Sequence, residues 1–183
     1  LARLGGDSGS YLRSTMAALA QFGTCPEEWC DYDINKFDEE PETFTYSLAQ
    51  NFQVQSYFRL DMPGTPLDTV LNNIKVVLNA GFPAIFGFTV FQSFYGTDGS
   101  GVVPFPAGNT VGAHALCCVG FDDNFPLTVP ASERGAFLFQ NSWGDQWGNW
   151  GFGWLPYSFI TMGLTADWWT CLTAEWLDLN QFN

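Results

Sequence analysis

The sequence predicts an α+β fold with two lobes. Helical patterns dominate the front of the chain and strand patterns dominate the back, an order typical of α+β rather than of alternating α/β folds. The length of 183 residues favours a single domain. Hydrophobic residues make up 46% of the chain and aromatic residues 17%, which is enough apolar surface for a sizeable core.

Two segments carry the helical pattern. Residues 9–23 are predicted to form the first helix, because Ser10 can act as its N-cap and Gly23 is a natural stop. Residues 63–81 are predicted to form the second helix, with Pro66 at its opening turn. These helices supply the α part of the predicted fold.

Apolar and alternating segments predict the β part of the fold. The predicted strands are residues 52–60, 83–91, 114–123, 133–143 and 166–174. A Gly- and Pro-rich loop is predicted over residues 101–113. A Trp- and Gly-rich loop is predicted over residues 144–160, returning into a strand or a short helix.

The charge of the chain limits its partners. Six Lys and Arg against 19 Asp and Glu give a formal net charge of −13. A chain this acidic repels phosphate backbones and anionic lipid surfaces, so nucleic acid and membrane partners are not expected. Eight of the acids fall within residues 26–42, which we expect to be a solvated loop region. No apolar run reaches the length of a membrane span.

The cysteines do not predict a metal site. There are five, an odd number, and none is spaced as C-x-x-C. The chain has one histidine, which cannot complete a His-rich zinc site with distant thiols. Cys25 and Cys30 are close enough in sequence to form a small disulfide loop, which would indicate an oxidising compartment. Buried or half-buried free thiols are an equally good interpretation.

His114 and Asn141 are the candidate catalytic residues. His114 lies in the apolar segment V-G-A-H-A-L-C-C-V-G-F-D-D, and Asn141 ends another apolar segment 27 residues later. A lone histidine in a strand is more often structural than catalytic. A catalytic imidazole, however, needs a partner that fixes its tautomer, and a side-chain amide provides one without adding charge. Trp143 follows at once and can keep water away from that hydrogen bond.

These segments resemble those of the papain-like cysteine peptidases. That family carries its general base in G-x-H-A-x-x-x-V-G-[YF], which here reads G-A-H-A-L-C-C-V-G-F at 112–121. It carries its orienting Asn in N-S-W-G-x-x-W-G-x-x-G-[YF], which here reads N-S-W-G-D-Q-W-G-N-W-G-F at 141–152. Residues 7–27 are similar to the family's stretch that leaves the substrate groove and enters a helix. Shorter matches occur at 57–61, 86–94, 155–159 and 165–170.

The resemblance implies a fold and a division of the chain. It implies the papain-like two-lobed fold, with an incomplete helical front lobe and a β-barrel-like back lobe. The whole chain, residues 1–183, would be the C-terminal major part of a papain-like peptidase domain. Within it, residues 1–50 would be the helical-lobe remainder and a loop, and residues 51–183 would be the mostly β-rich lobe.

The resemblance also implies the reaction. A Cys thiolate attacks the peptide carbonyl, and His114 holds the proton and then gives it to the leaving amine. Asn141 orients His114, Trp143 shields the pair, and Trp147 forms the wall on the leaving-group side of the cleft. No cofactor and no metal are implied.

Three further residues are implied to meet the substrate. Gly9 and Ser10 fit the place where the family pairs an extended backbone segment with the peptide. Gly5 and Gly6 offer a rival register for that role. Ala113 stands just before His114, where plant relatives often have an acid, and this departure would change the pH profile without abolishing activity.

The family's nucleophile has no counterpart here. In the family it follows an oxyanion-hole Gln at the N-terminus of a long helix, and no Q-x-x-x-C-G-x-C-[WT]-like stretch occurs in this sequence. Cys117 lies three residues past His114, roughly 10 Å along a strand, and so cannot share its proton. We therefore expect a partner: an N-terminal fragment of the same precursor, or a separate chain, that carries the nucleophilic Cys. Intact-mass analysis would test this.

Two other functions remain open from sequence. A catalytically inactive papain-fold module would use the aromatic cleft for peptide binding or assembly. A carbohydrate-binding module is suggested by the eight Trp, although the motif already places several of them. For the peptidase, the substrate is a peptide or protein, and we expect a secreted or extracytoplasmic location.

Overall fold

The computed structural model describes residues 9–126 and 134–174. The chain divides into two compact units: Leu1–Tyr57 with Cys171–Asn183, and Phe58–Thr170. The described helices are α1 Leu12–Gln21, α2 Thr43–Ala49, α3 Leu67–Asn79 and α4 Ser158–Thr161, with 3₁₀ turns η1 Glu27–Trp29, η2 Ile34–Lys36 and η3 Gln92–Gly96. The described strands are β1 Val54–Arg59, β2 Ala84–Phe91, β3 Thr110–Asp122, β4 Ala136–Gln140, β5 Phe152–Pro156 and β6 Thr165–Ala174.

The N-cap of the first helix lies one residue later than the sequence predicts. Tyr11, not Ser10, has the extended backbone of an N-cap, and its carbonyl accepts from the N–H of Ser14 at 2.9 Å. The Ser10 hydroxyl lies 3.4 Å from that same carbonyl, so it does not reach an open N–H of the helix. At the other end, Gly23 has φ +79°, and a Cβ there would collide with the Ala49 carbonyl. Glycine therefore ends the helix as the sequence predicts.

The acidic segment after α1 contains more structure than a loop. The 3₁₀ turns η1 and η2 lie within it, and α2 follows directly. In η2 the Asp33 carboxylate accepts from the backbone N–H of Asn35 at 2.9 Å. These turns leave several aromatic rings of the first unit exposed, including Trp29 and Tyr32.

The six strands form one sheet, in which their spatial order is β1-β6-β2-β3-β4-β5. The pairings of β2 with β3 and β6, and of β4 with β3 and β5, are antiparallel. The α+β class is confirmed, but the predicted barrel-like closure is not: within the described ranges β1 and β5 stand at opposite ends of the strand order. Alternation along β2 explains the core, because every second residue from Ala84 is buried.

The core of the second unit lies between this sheet and α3. Ile74 of α3 and Phe86 of β2 are fully buried, and Phe86 stacks on Trp168 with ring centroids 4.0 Å apart and planes 6° apart. Helix α3 lies within the predicted segment 63–81, and Pro66 is its N-cap. The close packing of this core holds β2 and β3 in place, and β3 contains the candidate catalytic residue His114.

A polar cluster joins three elements around Asp123, just past β3. Lys75 of α3 contacts the Asp123 carboxylate at 2.6 Å, and the Tyr157 hydroxyl after β5 donates to it at 2.8 Å. The Lys75 ammonium also lies 4.3 Å from the centroid of the Tyr157 ring. Hydrogen bonds from Lys75 and Tyr157 lower the pKa of the Asp123 carboxyl.

Candidate active site

His114 lies within β3, which is longer than the sequence predicts. The strand begins at Thr110 rather than at the histidine, because β2 pairs with it as far as Phe91 opposite Thr110. This pairing sets Phe88 of β2 directly opposite His114, with ring centroids 6.4 Å apart. The imidazole is half-buried and is therefore both supported by the core and accessible.

Asn141 follows the end of β4 and meets the imidazole. Its Oδ1 lies 2.9 Å from Nε2 of His114. The side chain is buried, and its backbone N–H donates to the Gly151 carbonyl at 2.9 Å, which anchors the start of the Trp-rich loop. The register of β3 and β4 thus brings together two residues that are 27 positions apart in sequence.

The backbone fixes the orientation of the Asn141 amide. The N–H of Ser142 lies 2.8 Å from Oδ1, and a backbone N–H can only donate. The amide atom beside it must therefore be the oxygen, so the hydrogen bond to His114 requires a proton on Nε2. In the neutral ring this leaves Nδ1 as the basic nitrogen, an assignment that follows from the hydrogen-bond network.

Trp143 covers the imidazole. The two rings stack with centroids 5.0 Å apart and planes 27° apart. The indole is 41% exposed, and it is contacted edge-on by Phe94 at 5.4 Å and by Trp147 at 6.0 Å. Such aromatic contacts restrict water near the ring.

Trp147 is half-buried on the core side of the same cluster. It packs against Phe94 at 5.4 Å and Phe139 at 5.7 Å. Gly153 makes this position possible, because a Cβ there would lie 2.9 Å from Trp147 and 2.5 Å from Phe139. Gly148, with φ +56°, similarly lies where a Cβ would meet the Phe152 carbonyl at 2.5 Å. These two close approaches explain part of the glycine spacing in the loop.

The predicted substrate-binding residues are divided between the units. Ala113 is exposed on β3 beside His114 and pairs with Thr89. Gly9 and Ser10 are exposed and belong to the first unit, whereas the His114 cluster belongs to the second. Gly9 has φ +72°, and a Cβ there would meet nothing within 4 Å. The rival pair, Gly5 and Gly6, lies outside the described residues.

The thiols near His114 are poor candidates for a nucleophile. Burial raises the pKa of both Cys117 and Cys118, which follow His114 on β3. The Cys118 thiol points to the Gly120 carbonyl at 3.7 Å. In the first unit, burial and then the nearby Cys30 raise the pKa of Cys25. A thiol with a raised pKa is mostly protonated near neutral pH and is a weak nucleophile.

Sequence reasoning missed two neighbours of the predicted residues. Tyr95 stacks on Trp143 with centroids 6.0 Å apart and planes 3° apart, and Phe94 beside it contacts both Trp143 and Trp147. Both belong to η3, directly after β2. The sequence signals were the family-like segment 86–94, which ends at Phe94, and the pair of consecutive aromatics before Gly96; neither assigns these rings to a partner.

Within residues 9–126 and 134–174, no group of three or more His, Cys, Asp and Glu side chains is arranged to hold a metal ion. The helices described there are too short or too polar to cross a bilayer.

Known proteins that are similar to this chain in sequence or in fold are peptidases or are named as peptidase-like. No protein-family model matches the chain. The chain is 34% identical over 169 residues to an uncharacterized peptidase C1-like protein of Acanthamoeba polyphaga mimivirus, covering 89% of this chain and 51% of that protein. The chain thus spans about half the length of this curated relative.

Solved structures agree with that relative. Xylellain, a cysteine protease from Xylella fastidiosa, is 30% identical with a TM-score of 0.72, covering 91% of this chain and 63% of its own. The cysteine protease and lectin-like domains of a surface layer associated protein of Clostridium difficile share the fold at 18% identity, with a TM-score of 0.68 and coverage of 94% and 38%. In both sequence and fold, the chain is therefore similar to papain-like cysteine peptidases over about nine tenths of its length.

Proposed function

We propose that this chain forms the His- and Asn-bearing part of a cysteine peptidase that hydrolyses peptide bonds through an acyl-thioester. The observation that carries the proposal is the 2.9 Å separation of His114 Nε2 and Asn141 Oδ1, with the Trp143 indole stacked on the imidazole. An imidazole held at one nitrogen by an amide, with its other nitrogen basic, is suited to proton transfer with a thiol.

In the proposed reaction, His114 takes the thiol proton and the thiolate attacks the carbonyl carbon of the peptide. The tetrahedral intermediate collapses, the C–N bond breaks, and His114 gives the proton to the leaving amine. Water then attacks the thioester with His114 as its base, which releases the carboxylic acid and restores the thiol. Asn141 holds the ring, Trp143 excludes water from their hydrogen bond, and Trp147 lines the leaving-group side.

The nucleophilic Cys in this proposal comes from outside these 183 residues. The raised pKa values of Cys25, Cys117 and Cys118 support this, because none of these thiols is activated. The donor is an upstream segment of the same precursor or a separate chain. Its helix would adjoin the helical-lobe remainder, residues 1–50.

The substrate in this proposal is a peptide or protein. Gly9 and Ser10 would pair with its backbone, for which their exposure is suitable, and Ala113 and Trp147 would line the cleft beside His114. We propose a secreted or extracytoplasmic location, as the surface layer association of the Clostridium difficile relative suggests.

Covalent labelling tests the proposal. The precursor, or the complex purified from it, is treated with an epoxide cysteine probe and analysed by intact-mass and peptide mass spectrometry. We expect one labelled Cys on a segment that is not part of these 183 residues and that co-purifies with the chain. A single species of 20.3 kDa without label would instead favour the alternative, a catalytically inactive peptide-binding or assembly module.

Substitution tests the role of the histidine. His114→Ala is expected to abolish peptide turnover while leaving the circular dichroism spectrum unchanged, because the ring exchanges the proton in both halves of the reaction. Cys117→Ala, on the same strand, is the matched control and should retain turnover. Turnover that survives the loss of His114 would remove it from the mechanism.

A further inference from the structure

The indole that covers His114 is itself held by a neighbouring element. Trp143 is 41% exposed and lies in a loop, so the loop itself does little to fix the position of the indole. The 3₁₀ turn η3 presents two consecutive rings to it. Phe94, which is buried, meets the indole edge-on at 69°, and Tyr95 lies parallel to it at 3° with centroids 6.0 Å apart.

We infer that Tyr95 is a positioning residue for His114, acting through Trp143. This inference rests on the proposed function, in which the imidazole must keep one orientation while its charge changes. The stack runs from Tyr95 to Trp143 and from Trp143 to His114, with the second pair 5.0 Å apart. Among the described residues, Tyr95 forms its ring contact with Trp143, and Trp143 in turn stacks on His114, so the effect of Tyr95 reaches the imidazole through the indole.

Because Tyr95 is exposed, its stack with Trp143 is the main contact that can fix the position of its ring. The side chain is 65% exposed, so burial contributes little to keeping the ring where it lies. Near-parallel aromatic pairs at this centroid distance are favourable beyond the area they bury. Removing the ring leaves the buried edge contact with Phe94 but takes away the stack that holds the plane of the indole. The imidazole then loses a fixed aromatic face.

The phenol hydroxyl is not required by this geometry. The contact that links Tyr95 to Trp143 is ring against ring. Tyr95→Phe should therefore preserve the effect, and Tyr95→Ala should remove it. Phe105→Ala is the matched control, because Phe105 is also an exposed aromatic of the second unit, at 57%.

The chain contains one histidine, so NMR of His114 gives a direct readout. In the full 183-residue chain, the ring protons of His114 should be shifted by the ring current of Trp143. We expect Tyr95→Ala to move these resonances toward those of free histidine, and Tyr95→Phe and Phe105→Ala to leave them in place. Unmoved resonances in Tyr95→Ala would overturn the inference, as would an equal shift in Tyr95→Phe or in Phe105→Ala.

Kinetics of the complete peptidase provides the second readout. We expect Tyr95→Ala to lower kcat by about 2- to 10-fold with little change in KM, and Tyr95→Phe to restore it. A change in KM alone would contradict a positioning role. The NMR arm needs no turnover, so an inactive wild type would refute the proposed function while the resonances of His114 still decide the role of Tyr95.

Discussion

At the scale of residues, the two polar atoms of the Asn141 side chain differ in their hydrogen bonding. Oδ1 accepts from Ser142 and meets His114, whereas Nδ2 is buried without a hydrogen-bond partner among the described residues. A buried donor left without a partner costs about 1–3 kcal/mol. The residue is thus placed for the imidazole rather than for the stability of the loop.

Replacement of Asn141 should separate activity from stability. Asn141→Ala is expected to lower kcat about 10- to 100-fold, because a hydrogen bond to a group that becomes charged is worth about 1.5–3 kcal/mol. The melting temperature should change little, since the unpartnered Nδ2 is removed together with the useful oxygen. Steady-state kinetics and thermal denaturation measure the two effects.

Asn149→Ala is the control for that variant, as Asn149 is exposed in the same loop. It should retain wild-type kcat. An Asn141→Ala enzyme with full activity, or one that loses activity only because it unfolds, would contradict the assignment.

Sequence reasoning reached the residues of the site unevenly. Two motifs with fixed spacing contain His114, Asn141, Trp143 and Trp147, which is why sequence could single them out; the structure brings these side chains together, and their catalytic roles stay predictions. Tyr95 was not found, because its contact depends on how η3 turns after β2, and a 3₁₀ turn of five residues leaves no periodic pattern. The roles of Gly9, Ser10 and Ala113 stay predictions.

At the scale of elements, the Asp123 cluster ties α3 to the ends of β3 and β5. The folded-state pKa of Asp123 is lowered, so its contribution to stability is present above the unfolded value and is lost as pH falls through the folded value. With the ordinary carboxyl pKa near 3.8, the loss should occur below about pH 4.

Asp123→Asn should therefore destabilise the protein by about 0.2–1 kcal/mol at pH 6–7, the range for a solvent-exposed ion pair. The difference from wild type should shrink as the pH falls below about 4. Urea denaturation at several pH values measures this. Asp31→Asn, which removes an exposed acid elsewhere, is the control; a difference that is independent of pH would exclude an ionic role for Asp123.

The elements themselves were predicted best where periodicity is long. The bounds of α3 and β2 lie inside their predicted segments, because amphipathic and alternating patterns extend over eight residues or more. Helix α2 was missed, because seven residues with no side-chain cap carry little local signal. The start of β3 was missed, because its pairing with β2 overrides the Gly- and Pro-rich composition before it.

At the scale of the whole molecule, burial is unequal between the units. Helix α1 of the first unit has ten residues and one buried side chain, Met16. A helix this short is marginal without tertiary packing. In the second unit, β2 and β4 are lined by fully buried residues such as Phe86 and Phe139. The class of fold followed from composition and order, whereas the open sheet depended on long-range pairing that the sequence does not display.

Native-state hydrogen exchange should reveal this inequality. We expect amides of α1 to open with a free energy at least about 2 kcal/mol below that of amides in β2 and β3, because local openings follow the density of buried contacts. Mass spectrometry or NMR in the folded range provides the measurement. Equal protection in α1 and β3 would show that one cooperative unit governs both.

The missing side chain at Gly153 restricts how this protein can evolve. Any larger residue there collides with Phe139 and Trp147 together, so it is tolerated only in a background where both rings have already become smaller or have moved away. Position 153 is therefore expected to show strong epistasis with positions 139 and 147. A saturation library at these three sites would contain viable side chains at 153 chiefly in combination, and mutational routes that change the wall of the cleft would have to proceed in that order.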